Sequence, residues 1–167
     1  MIDFICDNNK YTFNDKSLTI SLPVSNFNLP NKIKLEENDL CLKSNFHITL
    51  VPIGKIIEKN NLKIENLSNF ILKDFCDFIS FNSIDLIEYS NEYRFVQEKD
   101  LRTIVVMCKV SNLDKFFKLI NQKYNINIET PPTHVTLYTL YDKLGIFILD
   151  NDDLYLKTKI INDFNLR

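Results

Sequence analysis

The chain has 167 residues, with 20 Lys and Arg against 22 Asp and Glu, giving a net charge of −2 and an isoelectric point near 5.7. That balance, with no Lys/Arg tract, lacks the basic excess by which proteins grip a long nucleic-acid backbone, so a small phosphorylated ligand held by a few local charges fits better. No apolar stretch reaches the length of a membrane span, and Met1-Ile2-Asp3-Phe4 lacks the basic region and apolar run of a signal peptide, so the expected setting is cytoplasmic with no membrane partner.

In chain order, the first forty residues are β-rich. Segments 2–6 and 10–13 flank Asp7-Asn8-Asn9, which has hairpin-turn chemistry. Leu18–Leu22 alternates and stops at Pro23, and Asn26–Asn31 with Pro30 is a loop. Short strands are expected at Lys32–Leu35 and Asp39–Lys43, around Glu36-Glu37-Asn38. A further strand runs from Phe46 to Val51 and ends at Pro52. From Ile64 to Ile79, the residues Ile64, Leu67, Ile71, Phe75 and Phe78 recur at helical spacing, with Asp74 and Asp77 facing elsewhere. Strands at Ile84–Tyr89 and Glu92–Gln97 flank Ser90-Asn91, and Leu101–Val110 follows the Glu98-Lys99-Asp100 turn. Leu113, Phe116, Phe117, Ile120 and Tyr124 define a second amphipathic helix, with Ser111 or Asn112 as N-cap. Pro131-Pro132 breaks the chain before a strand at Thr133–Leu137. Gly145–Leu149 reads as a last strand after a turn at Tyr141-Asp142-Lys143, and the final eighteen residues are ambiguous between strand and helix. With 13 Phe and no Trp, Phe and Tyr must supply the bulky packing. The expected architecture is a single α+β domain over residues 1–167, with two pseudo-symmetric antiparallel β-lobes and flanking helices around a central cleft.

The two histidines of the chain sit in the same pattern, Phe46-His47-Ile48-Thr49-Leu50 and Thr133-His134-Val135-Thr136-Leu137. Residues two apart on a strand share a face, so each segment presents an imidazole and a hydroxyl on one side and apolar residues on the other. Nine residues are Thr, and random placement would put Thr two after both histidines about 0.3 per cent of the time, which favours a paired device over two ordinary strand histidines. Two such strands brought together hold a kit for acid–base chemistry on a phosphate ester. Strand alternation puts Tyr138 beside His134 and Thr136, either binding a phosphate oxygen or base, or standing at the rim of an ordinary sheet. Arg94, Arg102 and Lys109 lie on strands between the motifs, where each either neutralises a phosphate or sits on a solvated face. Lys43 shares the side of His47 if its strand extends back that far. Cys6, Cys41, Cys76 and Cys108 show no metal-ligand spacing; buried free thiols in a reducing cytosol are expected, with Cys76 or Cys108 as a nucleophile the less favoured reading.

His47-Ile48-Thr49 and His134-Val135-Thr136, 87 positions apart, resemble the 2H phosphoesterase superfamily. That group includes bacterial RNA 2′-5′ ligase and cyclic phosphodiesterase relatives, plant cyclic phosphodiesterases and phage enzymes that degrade cyclic oligonucleotides. The resemblance spans roughly residues 40 to 150, while the first forty residues depart from the family's strand-then-helix opening. It implies a metal-free mechanism without cofactor, in which one imidazole takes a proton, the other gives one, and Thr49 and Thr136 donate to the non-bridging phosphate oxygens. The expected function is cleavage of a ribose-linked phosphodiester, whether a 2′,3′-cyclic phosphate, a 2′-5′ linkage or a cyclic oligonucleotide, by a monomer acting on a small nucleotide or RNA end. The alternatives are RNA end-processing or 2′-5′ ligation, and a non-catalytic nucleotide-binding module.

Overall fold

The computed structural model describes residues 10–140 and 145–162. The strands are β1 (Thr12–Asn14), β2 (Thr19–Pro23), β3 (Lys32–Leu35), β4 (Asn38–Leu42), β5 (His47–Pro52), β6 (Leu86–Glu98), β7 (Leu101–Val110), β8 (His134–Thr139) and β9 (Thr158–Ile160); β7, buried on both faces, is a continuous apolar run rather than an alternating one. Apolar helical spacing makes α2 (Leu67–Ile79) and α3 (Leu113–Tyr124), and two short helices, α1 (Ile53–Lys59) and α4 (Asn151–Lys157), complete the set among the described residues. The fold is therefore α+β. Among the described residues the strands form one antiparallel sheet in the order β1-β2-β5-β8-β7-β6-β9, and the β3–β4 hairpin joins the edge of β8 through β4.

One face of this sheet is greasy and covered. Ile48, Ile104, Val106, Val135 and Tyr138 point into the same buried cluster as Ile53 and Ile56 of α1, Ile71 and Phe75 of α2 and Phe116 and Ile120 of α3. Phe116 centres an aromatic cluster, with Phe75, Phe78 and Phe117 edge-on around it at 5.3, 5.5 and 5.9 Å. Asp74, expected to face away from the core, is buried between α2 and α3, where it accepts hydrogen bonds from Lys123 Nζ at 2.5 Å and Tyr124 Oη at 2.6 Å. The opposite face carries the two His-x-Thr motifs and a smaller apolar cluster of Val96, Val105, Met107, Ile146 and Ile148.

Several elements differ from the sequence expectation. The helix expected from Ile64 begins at Leu67, because Asn66 adopts a left-handed backbone and turns the chain before it. Helix α1 was not foreseen; its seven residues bury only Ile53 and Ile56, too short a stripe to stand out. The two strands expected around Ser90-Asn91 are one strand, β6, with a register shift between Tyr89 and Tyr93 and a positive φ at Asn91. The unbroken β7 offers partners on both sides of that interruption, so β6 bulges rather than reverses. Asn112 sits at the N-cap of α3 without a side-chain cap bond; its amide donates to Ser83 O instead. Residues 145–149 alternate in burial, yet they form no strand. Ile146 and Ile148 pack instead on Val96, Val105 and Met107, and 145–149 pair with no strand among the described residues. The ambiguous C-terminal stretch contains both α4 and β9. The expected hairpin partner 2–6, its turn at Asp7-Asn8-Asn9, and the turn at Tyr141-Asp142-Lys143 lie outside the described residues.

Candidate active site

Strands β5 and β8 meet through the pair Ile48–Val135, the middle residues of the two motifs. In an antiparallel pair this register sets His47 across from Thr136 and Thr49 across from His134. Cross-strand neighbours stand about 5 Å apart and diagonal ones about 7–8 Å, so both imidazoles and both hydroxyls surround one small area. Ile48 and Val135 are fully buried on the far face, which fixes the four polar groups on the near one.

Both motif strands then break register in the same place. β2 pairs Ser21 with Thr49 and Ile20 with Val51, leaving Leu50 as the extra residue. β7 pairs Val105 with Thr136 and Ile104 with Tyr138, leaving Leu137 as the extra residue. Each bulge follows the motif Thr and returns the chain to the core side. This corrects the expectation for Tyr138. Simple alternation would set it beside Thr136, but the bulge turns it to the opposite face, where it is fully buried and its hydroxyl donates to Pro30 O at 2.9 Å.

The four motif side chains line a cavity of about 1060 Å³. It is lined as well by the β1–β2 hairpin, with Asn14, Asp15, Lys16 and Ser17, and by the segment from Gly145 to Phe147. Lys43 also lines it, from the β4–β5 connection rather than from an extended strand. Thr49 and Thr136 are half-buried, and among the described residues neither hydroxyl has a hydrogen-bond partner, so both are available to a ligand. A Cβ on Gly145 would lie 3.5 Å from Thr136 Oγ1, so this segment passes directly beside that hydroxyl.

The two imidazoles differ in setting. His134 is only 9% exposed, and its Nδ1 lies 3.1 Å from Pro132 O, an acceptor that requires Nδ1–H. Burial lowers its pKa, the nearby His47 lowers it further, and the backbone of Pro132 and Ile146 works in the opposite sense. His47 opens to the cavity, but the surrounding protein and the Lys43 ammonium lower its pKa as well.

The other sequence candidates fall elsewhere. Arg94 on β6 bonds Glu92 and donates to Thr158 Oγ1 at 2.7 Å, tying β6 to β9. Arg102 donates to Lys99 O at 2.6 Å and Leu101 O at 2.8 Å, closing the β6–β7 turn. Lys109 pairs with Glu88 at 2.8 Å on the exposed sheet surface. None of the three lines the cavity, because each is engaged by a near neighbour on strands away from the β5–β8 seam. Cys108 is buried and its thiol pKa is pushed up to about 11, which leaves it a poor nucleophile. Cys76 is disulfide-bonded rather than free, which removes it from the argument for a reducing compartment. Sequence reasoning missed Ser21, Lys16 and Phe147 as cavity residues. Ser21 was detectable, since the strand that includes Thr19 and Ser21 alternates. Lys16 and Phe147 carry no local signal.

Among the described residues no group of three His, Cys, Asp or Glu side chains is placed to hold a metal ion, and no helix is long and apolar enough to cross a membrane. Comparison with protein-family models, with curated proteins and with solved structures finds no match to this chain.

Proposed function

We propose that this chain is a metal-independent phosphodiesterase that cleaves a ribose-linked phosphodiester by paired-histidine acid–base catalysis, in a fold of the 2H type with two β-lobes meeting at the β5–β8 seam. The observation that carries this reading is the Ile48–Val135 register, which groups in one cavity two imidazoles and two hydroxyls that have no hydrogen-bond partner among the described residues. A neutral imidazole accepts the proton of water or of an adjacent ribose hydroxyl, and a protonated one gives a proton to the departing ribose oxygen. The Thr49 and Thr136 hydroxyls donate to the non-bridging oxygens, and Lys43 supplies a nearby positive charge. A site built only to hold phosphate would use arginine or backbone amides, and no arginine lines this cavity among the described residues.

The test is a panel of 2′,3′-cyclic nucleotides, 2′-5′ adenylates and cyclic di- and trinucleotides, incubated with the wild type and with the His47→Ala/His134→Ala variant. The expected result is hydrolysis of at least one class by the wild type alone, undiminished by EDTA. Binding without turnover would replace the enzyme reading with a nucleotide-binding module. Joining of 2′,3′-cyclic phosphate ends to 5′-hydroxyl ends would replace hydrolysis with ligation, and strong inhibition by the chelator would overturn the metal-free mechanism.

A further inference from the structure

Among the described residues, Phe147 is a large apolar side chain that stands outside both buried apolar clusters. It is half-buried and lines the cavity, yet it belongs to neither buried cluster and stacks on no ring among the described residues. Its neighbours Ile146 and Ile148 are 3% and 2% exposed, packed on Val96, Val105 and Met107. Those two residues anchor the segment to the sheet, so Phe147 is not needed to hold it there. Gly145, two residues earlier, passes beside the Thr136 hydroxyl. Two residues of chain reach at most about 7 Å, so the Phe147 backbone lies within about that distance of the Gly145 backbone, and Phe147 and Thr136 line the same cavity.

We propose that Phe147 is a substrate-positioning residue, an aromatic platform on which the nucleobase stacks when its phosphate sits between His47 and His134. The proposal takes its ligand class from the phosphodiesterase reading. Stacking on an aromatic face tolerates any base, because every base has a π-face. The platform therefore selects for the presence of a base and sets its distance from the phosphate, with little preference among bases. Stacking on Phe147 makes no use of the His47 and His134 rings, which keep the proton-transfer roles proposed for them.

The test is equilibrium binding by calorimetry of adenosine 2′,3′-cyclic phosphate and of base-free ribose 2′,3′-cyclic phosphate to the wild type, Phe147→Ala and Phe147→Tyr, with kcat and KM measured in parallel. Phe147→Ala is expected to weaken nucleotide binding about tenfold or more and to raise KM with kcat little changed. Phe147→Tyr should restore wild-type behaviour, and the base-free compound should bind all three proteins alike. Equal nucleotide affinity in wild type and Phe147→Ala overturns the proposal. So does an equal loss for the base-free compound, or a wild type that binds neither. Nucleotide binding that depends on Phe147 without any turnover would instead sink the catalytic reading and leave the platform standing.

Discussion

At Thr49 and Thr136, a strand hydroxyl that would usually find a backbone or side-chain partner has none among the described residues and opens to the cavity beside an imidazole. If these hydroxyls donate to phosphate oxygens, Thr49→Val and Thr136→Val should each lower kcat about 10²-fold, since each removes one donor while keeping the side-chain shape. Steady-state rates on the best substrate of the panel check this, and an unchanged kcat in either variant removes that hydroxyl from the mechanism. The imidazoles carry a second prediction. Both pKa values are lowered in the free protein, by burial for each and by Lys43 at His47. The productive form, one ring protonated and one neutral, is therefore most abundant on the acid side of the ordinary imidazole value near 6.5. The pH profile of kcat/KM should be bell-shaped with its maximum below that value. A bound phosphate anion favours protonated rings, so the kcat profile should shift upward in pH relative to kcat/KM. A single-limbed profile, or a kcat/KM maximum well above pH 7, contradicts paired roles.

Among the elements, β5 and β8 matter most, because each projects its His and Thr before bulging at the next Leu. Tyr138 tests that geometry. Tyr138→Phe removes a hydroxyl that donates to Pro30 O and leaves a carbonyl without that donor, at a cost of about 1–2 kcal/mol. Denaturant unfolding should register that loss, while kcat/KM stays at the wild-type level. A large fall in kcat with unchanged stability would return Tyr138 to the site. The motif faces themselves were legible, since Ile48 and Val135 are apolar and must be buried, which commits His and Thr to the other side. The bulges were not legible. Leu50 and Leu137 look like any apolar strand residue, and a bulge depends on the neighbouring strand's register. The long helices α2 and α3 were legible in their apolar period. The left-handed Asn66 and Asn112 at their starts were not, because Asn serves equally as an ordinary cap.

Across the whole molecule, strand order brings together groups that lie far apart in the chain. β5 and β8 are separated by two helices, β6, β7 and α3, yet they are neighbours at the middle of the sheet. The sequence held the chemical kit in its repeated motif, but it held no sign of the cavity walls. The β1–β2 hairpin and residues 145–149 reach the site only through the sheet order and the packing of Ile146 and Ile148 on Val96, Val105 and Met107. The same limit explains Arg94, Arg102 and Lys109. Arg102 and Lys109 lie on β7, the strand beyond β8, and Arg94 on β6, one strand further out, and there they serve the β6–β7 turn, Glu88, and Glu92 with Thr158. One measurement bears most directly on whether the seam is a catalytic centre: kcat/KM for His47→Ala, His134→Ala and the double variant, each shown to be folded by its thermal unfolding. If the two rings act on one phosphate as a unit, each single variant should lose nearly all turnover, and the double should lose little more than either alone. A single variant that keeps wild-type rates, or two modest losses that simply multiply in the double, would contradict it.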